Sequence, residues 1–162
     1  MLEHLTLFPL NFAPAAAPLF GLALVYHDIV YRAGRKDNEA RSADVLERDL
    51  RAIGQDQAAV NYSRRLIMAT KTHQPSGEDA GEESIMIDLD LAVLARDAAG
   101  YDAYAKAVRH EFRRYPGFLY RPGRKKALQH FLEQDHIYHT PFFRERYEDR
   151  ARENLRRELQ AL

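Results

Sequence analysis

Residues 19–31 read LFGLALVYHDIVY, and this stretch decides the fold because it is apolar on nearly every side of a helix. That pattern is typical of a central helix surrounded by others. The dipeptide His27-Asp28 interrupts the run with an imidazole next to a carboxylate. Burying an unpaired carboxylate is costly or forces it to protonate, so we expect a cation, a hydrogen-bond network or a metal beside it. The structural alternative is an ion-paired or helix-capping Asp28 next to a core histidine.

The composition restricts the class of protein. The chain has 162 residues, of which 46% are hydrophobic, so we expect one soluble domain with a real core. Its 24 basic and 24 acidic residues cancel, which argues against nucleic acid or an anionic membrane as a partner of the whole molecule. Without cysteine, His, Asp and Glu are the only strong metal ligands, and a reducing cytoplasm is the expected location.

The N-terminal region carries no signal for a membrane. The longest apolar run, Phe12 to Tyr26, has 15 residues and contains Pro14 and Pro18, so it is too short and too broken for a membrane span. No Lys or Arg precedes Arg32, which argues against a secretory signal. Because its prolines disfavour a helix, residues 1–18 are expected to be irregular or to hold only a truncated first helix.

Apolar residues then recur at steps of three and four along most of the chain, which predicts a series of amphipathic helices. Asn38 and Asp56 are expected to cap two of these helices, and Ser84 to cap a helix over residues 85–95. Later helices are expected over residues 101–115, from Pro122 onward, and over residues 143–159. No stretch alternates at period two for long enough to predict a strand. We therefore predict an all-α fold, a single bundle of about six or seven helices over residues 1–162.

Three positions on separate helices each place an ionisable side chain next to apolar residues, where it needs a compensating partner. His27-Asp28, His73 and Asp90 each lie on, or at the end of, a helix with an apolar face. One divalent metal would satisfy all of them, and a set of two imidazoles and two carboxylates suits Mn, Fe, Co, Ni or Zn and can recruit Mg. Asp88 competes with Asp90 for the same role. For His73, a favourable charge interaction with the C-terminal end of its helix is the alternative.

Seven short segments, taken in order and with their spacing, resemble the HD-domain metal-dependent phosphohydrolases, and in particular a bacterial subfamily of predicted HD hydrolases. The segments are Tyr26-His27-Asp28-Ile29-Val30-Tyr31, Asn38-Glu39 with Ser42-Ala43, Ala69-Thr70-Lys71-Thr72-His73, Asp88-Leu89-Asp90-Leu91, Tyr101 with Tyr104-Ala105, Arg109 with Glu111-Phe112, and Ala151-Arg152-Glu153-Asn154-Leu155. The signature of that superfamily is a histidine, then adjacent His-Asp, then a distant Asp. The segment Leu2-Glu3-His4-Leu5 matches only the end of the subfamily's first motif.

The resemblance implies a fold, an activity and a set of roles. It implies an HD-type helical domain that hydrolyses a phosphate ester of a nucleotide or another small molecule with metal-activated water. The metal ligands that it implies are His27, Asp28, Asp90 and His4, and His73 is either a further ligand or a phosphate donor. Lys71 and Arg109 are candidates for contact with the phosphate, and Glu39 for proton transfer.

Two other functions remain open at this point. A non-catalytic HD module could bind metal or nucleotide as a sensor or as part of an assembly, because the first ligand segment is incomplete. A helical scaffold without metal could use His27-Asp28 as a simple ion pair. The substrate, the identity and number of the metal ions and the oligomeric state, a homo-oligomer included, are not encoded in these motifs.

Overall fold

The structure is a computed structural model, and it describes residues 16–76 and 80–162. The described chain is helical, with no strand, which confirms the predicted all-α class. It contains seven α-helices and one 3-10 helix. Their bounds are α1 Ala16–Tyr26, α2 Asn38–Ala52, α3 Gln57–Thr72, α4 Ala80–Asp90, the 3-10 helix Leu91–Ala95, α5 Ala98–Glu111, α6 Gly117–Glu133 and α7 Pro141–Ala161.

The described helices form two compact units. The first unit holds α1 to α4 and ends at Asp90, and the second holds the 3-10 helix and α5 to α7, from Leu91 to Leu162. Among the described helices, none combines the length and the hydropathy that crossing a bilayer requires.

In the first unit, α3 packs against α1, α2 and α4. Helix α1 is apolar throughout and buries Phe20, Ala23 and Leu24 on its inner side. Burial of a side chain such as Phe20 or Leu24 contributes about 2 kcal/mol to the free energy of unfolding. The apolar stripe of α3 continues this core with Leu66 and Ile67, neither of which is exposed to solvent.

Helix α1 differs from the sequence-based prediction at both ends. It begins at Ala16, within the stretch expected to be irregular, because Pro18 lies in its first turn, where the missing N–H costs no hydrogen bond. It ends at Tyr26, so His27 and Asp28 lie in the turn that follows and not within the helix. A backbone hydrogen bond from Ile29 N to Tyr26 O, 3.0 Å long, closes that turn.

Of the three predicted helix caps, the structure confirms one. Asp56 caps α3 as predicted, because its carboxylate accepts a hydrogen bond from Ala59 N at 2.8 Å. Asn38 is the first residue of α2 and not its cap, and its side chain instead bonds the backbone N and O of Arg32. Ser84 lies inside α4, which begins at Ala80, and its hydroxyl donates to the Ala80 carbonyl oxygen.

In the second unit, α7 packs against the 3-10 helix, α5 and α6. The buried Asn154 amide of α7 donates to the carbonyl oxygens of Leu94 and Arg96, both at 2.9 Å, and so closes the end of the 3-10 helix. The prediction that Pro122 lies in the first turn of its helix is wrong, since α6 begins at Gly117 and carries this proline inside. On α7, Glu148 and Arg152 lie one helical turn apart and form an ion pair at 2.7 Å.

Candidate functional site

His27 is a buried histidine whose two ring nitrogens both face oxygen atoms. Nδ1 lies 2.7 Å from the carbonyl oxygen of Leu24, at the end of α1. Nε2 lies 3.1 Å from Oδ1 of Asp90, the last residue of α4. Burial by itself lowers the pKa of His27, but the hydrogen bond and the negative charge of Asp90 outweigh it and raise that pKa to about 9. The structure therefore favours an imidazolium that donates from both nitrogens.

Asp90 connects two histidines from different parts of the first unit. Its Oδ1 contacts His27, and its Oδ2 lies 3.4 Å from Nε2 of His73. Burial by itself raises the pKa of Asp90, but the hydrogen bonds and charges of the two imidazoles outweigh it and hold that pKa at about 2. The carboxylate is therefore ionised at neutral pH and compensates the positive charge beside it.

His73 holds an unusual backbone conformation at the C-terminal end of α3. It is the residue after the last helical one, and its backbone is left-handed, with φ 52° and ψ 33°. Among the described residues it is the only one other than glycine with a positive φ. A side chain in this region costs energy that glycine avoids, so the surrounding structure must hold the histidine there. Its contact with Asp90 is one such interaction.

Asp28 forms the solvent-facing side of the cluster. Its side chain is 56% exposed, and its Oδ2 lies 3.7 Å from Nε2 of His27. The side chains of His73 and Asp90 are 30% and 21% exposed. The structure thus brings together four of the predicted site residues, His27, Asp28, His73 and Asp90, in one cluster that we call the His-Asp cluster, and water can reach it from the side of Asp28.

The two imidazoles approach different oxygens of the same carboxylate, so the cluster is a chain of contacts and not a closed set of ligands. In the described part of the chain, no group of three or more His, Cys, Asp or Glu side chains is arranged so that it could hold a metal ion. The donor types are nevertheless those that bind divalent metals, namely imidazole nitrogen and carboxylate oxygen. His27 also shows a feature of metal-binding histidines, a second ring nitrogen held by a backbone carbonyl oxygen.

The other predicted site residues lie apart from these contacts. Lys71 is exposed in the last turn of α3, and Glu39 is half-buried in the first turn of α2. Within the described residues, neither makes a hydrogen bond or an ion pair with the His-Asp cluster. Asp88 is fully buried in α4. His4 falls outside the described residues.

Arg109 belongs to the second unit, where it contacts neighbouring residues of that unit. Its guanidinium donates to the carbonyl oxygens of Phe112 and Tyr115, at 2.9 and 3.2 Å. It also lies over the ring of Tyr120, at 4.7 Å from the ring centroid. These contacts hold the guanidinium at the C-terminal end of α5.

The sequence did not reveal Glu83, which holds the backbone near the His-Asp cluster. Residues 74–83 are mostly polar, a composition typical of a loop, but Glu83 lies in the first turn of α4 and is fully buried. Its carboxylate accepts from Arg65 Nη1 at 3.0 Å and from both the backbone N and the hydroxyl of Ser76. Ser76 follows His73 by three residues, so Glu83 fixes the chain just after this histidine. The sequence feature that could have indicated a helix start here is the acidic pair Glu82-Glu83, because negative charge is favourable at a helix N-terminus.

Comparison with known proteins does not assign the chain to a family. No protein-family model, no curated protein and no solved structure matches it.

Proposed function

We propose that this chain is a metal-dependent phosphohydrolase that cleaves a phosphate ester of a nucleotide or another small molecule. The observation that carries the proposal is the His-Asp cluster. His27 and His73, from separate segments, both contact Asp90, and Asp28 lies beside His27 on the side that is open to solvent. Ionisable side chains drawn together from distant parts of a sequence, with pKa values shifted by one another, are typical of functional sites.

The donor set of the cluster suits a divalent metal. We assign His27, Asp28 and Asp90 as ligands, with His73 as a fourth ligand or as a donor to phosphate, and Mn, Fe, Co, Ni, Zn and Mg as candidate ions. His4 remains a proposed further ligand on the resemblance alone. Metal binding would require His27 Nε2 to give up its proton, since a metal takes the lone pair of a neutral imidazole. The proton on His27 Nε2 and its ion pair with Asp90 therefore compete with a metal for the same atoms.

Hydrolysis of a phosphate ester requires residues that bind the phosphate and residues that transfer protons. An oxygen of water forms a bond to phosphorus, the ester P–O bond breaks, and the leaving oxygen takes a proton. The chemistry that a divalent ion supplies in such sites is activation of water and neutralisation of phosphate charge. We assign Lys71, an exposed cation two residues before His73, to the phosphate oxygens, and Glu39 to proton transfer. We further propose that the chain acts in the cytoplasm on a free, small substrate.

The test is metal content together with turnover. Protein purified without a chelator should contain a stoichiometric divalent transition metal, and a panel of nucleotides and phosphoesters should include a substrate that it hydrolyses. Asp28→Ala should abolish that hydrolysis. Asp102→Ala is the matched control, since its side chain is also 56% exposed but lies in the second unit, and it should retain full activity. Metal-loaded protein that is inert across the panel would contradict the proposal.

A second candidate is a non-catalytic module that binds metal or nucleotide as a sensor. The observation that favours it is that Asp90 already has both imidazoles as partners, so the cluster is electrostatically satisfied without a substrate. Calorimetry distinguishes the two candidates, because the sensor should bind a nucleotide tightly and leave it intact.

A further inference from the structure

In the second unit, α5, α6 and the turn between them, residues 98–133, have an unusual distribution of charge, and we call this segment the α5–α6 hairpin. Between Lys106 and Lys126 the sequence holds eight Lys or Arg residues and a single acidic residue, Glu111, although the whole chain has a formal net charge of zero. This segment also carries exposed apolar side chains, since Phe118 and Leu119 are 75% and 56% exposed. The hairpin therefore offers positive charge and apolar surface together.

The first of two neighbouring cavities on this hairpin is apolar. Its volume is about 370 Å³, and its walls come from Val108, Phe112, Tyr115, Leu119, Tyr120 and Ala127. We call it the apolar groove. Arg124 also lines it, but its guanidinium is paired with both carboxylate oxygens of Glu158, at 2.7 and 2.8 Å. A volume in this range with mainly apolar walls is typical of small-ligand pockets.

The second cavity is cationic. Its volume is about 380 Å³, and Lys106, Arg109 and Arg121 line it. We call it the cationic groove. Within the described residues, none of these three cations is ion-paired. Glu158 also lines the cavity, but Arg124 and the Tyr101 hydroxyl already occupy its carboxylate.

Tyr120 joins the two grooves, because its side chain lines both of them. The guanidinium of Arg109 lies over its ring and uses two of its five N–H donors on backbone carbonyl oxygens. Three of its N–H donors therefore remain for an anion in the cationic groove, which Arg109 lines.

We propose that the α5–α6 hairpin binds an amphipathic anion, with an apolar chain or ring in the apolar groove and a phosphate or carboxylate on the cationic groove. The walls of the apolar groove favour a hydrocarbon over a nucleobase, because a base needs hydrogen-bond partners that Val108, Phe112 and Leu119 do not supply. The cations supply the charge complementarity that selects an anionic head. This site is independent of the proposed hydrolysis at the His-Asp cluster.

The test uses alkylphosphonates, whose C–P bond resists hydrolysis, as probes below their aggregation concentration. Titration of hexylphosphonate, octylphosphonate and decylphosphonate into the full chain should show saturable binding by calorimetry. Affinity should rise about fourfold for each added methylene until the groove is full. Decanol, which lacks the charge, should bind at least about tenfold more weakly than decylphosphonate. Affinity that does not depend on chain length would overturn the proposal.

Single substitutions in the two grooves test whether decylphosphonate binds there. Leu119→Gln and Arg121→Gln change exposed side chains, so both proteins should fold, and each should weaken decylphosphonate binding about tenfold. Ile53→Gln and Arg48→Gln are matched controls in the first unit, where the side chains are 68% and 72% exposed, and they should not weaken binding. Equal weakening by the controls would contradict the assignment of the site.

Other ligands and the His-Asp cluster are tested separately. Adenosine monophosphate that displaces decylphosphonate and competes for its site with equal affinity would overturn the preference for a hydrocarbon. Binding to vesicles of phosphatidylcholine with phosphatidylglycerol, without saturable binding of monomeric decylphosphonate, would overturn a site for a free ligand. Asp28→Ala changes a side chain that is 56% exposed and should abolish the proposed hydrolysis but leave decylphosphonate binding unchanged, so failure of the proposed hydrolysis and failure of this site give different results.

Discussion

His27 and Asp90 lie 63 residues apart in the sequence, and Nε2 of the imidazole is 3.1 Å from Oδ1 of the carboxylate. Because Nδ1 of the same ring faces the Leu24 carbonyl oxygen, the charged imidazolium satisfies both acceptors. The negative charge of Asp90 thus holds the turn after α1 against the end of α4. The geometry predicts that this charge contributes to the stability of the first unit, whatever the chain catalyses.

Asp90→Asn should therefore destabilise the protein. The substitution keeps the shape of the side chain but leaves His27 and His73 without the anion that compensates them, and removal of one partner from a largely buried pair costs about 3 kcal/mol. Urea unfolding at neutral pH measures the loss. Asp44→Asn is the control, since Asp44 pairs with Arg64 at the surface with a side chain that is 62% exposed, and it should cost less than about 1 kcal/mol. Equal losses in the two variants would contradict the role of Asp90.

Part of this arrangement could be predicted from the sequence, because part of it is local. The spacing of apolar residues in α2 and α3 repeats within one helix, so it indicates the buried faces without knowledge of the partners. His27, Asp28, His73 and Asp90 were selected because each is costly on an apolar helix, a property that can be read one residue at a time. That reasoning, together with the family resemblance, predicted that the four side chains would meet.

What the sequence did not predict depends on contacts between distant residues. Ile53 fits the apolar stripe of α2, yet it is 68% exposed because the helix ends at Ala52 and the chain turns at Gly54, with φ 77°. Glu83 reads as a solvated residue, and only the proximity of Arg65 and Ser76 shows why it is buried. Local patterns thus predicted the helices better than their ends and their polar tertiary contacts.

Glu83→Ala should destabilise the loop that follows His73. The substitution leaves the Arg65 guanidinium and the Ser76 backbone N–H without their buried acceptor, at a cost of about 3 kcal/mol. Urea unfolding gives the total, and hydrogen exchange at the Ser76 amide reports the local change. Glu145→Ala is the control, because Glu145 is 75% exposed and 4.0 Å from Arg146, and it should cost less than about 1 kcal/mol. An unchanged exchange rate at Ser76 in Glu83→Ala would refute this role.

Glu158 should make the stability of the second unit dependent on pH. Burial by itself raises the pKa of this carboxyl, but the hydrogen bonds from Arg124 and Tyr101 and the charge of Arg124 outweigh it and lower the pKa. The unfolded value is about 4.3, so the folded value lies below it. The stabilisation is therefore fully present above about pH 4.3 and is lost as the pH falls through the folded pKa.

Urea unfolding between about pH 5 and pH 3 measures this loss. Glu158→Gln should be less stable than the natural protein at pH 5 and should lose less stability on acidification. Glu153→Gln changes an exposed residue of the same helix and should follow the natural protein throughout. Identical acid profiles for the natural protein and Glu158→Gln would contradict the assigned pKa shift.

His73 allows the backbone strain and the side-chain contact to be separated by two substitutions. His73→Ala removes the imidazole but keeps a Cβ at φ 52°, whereas His73→Gly removes both the imidazole and the steric cost. His73→Gly should therefore be more stable than His73→Ala by about 1 kcal/mol, although glycine destabilises most other positions near a helix. Urea unfolding of the two variants measures the difference. If His73 is the fourth ligand of the proposed metal, both variants should lose metal affinity to a similar extent, since neither has the imidazole. A less stable His73→Gly would show that the left-handed conformation is not what the chain adopts there.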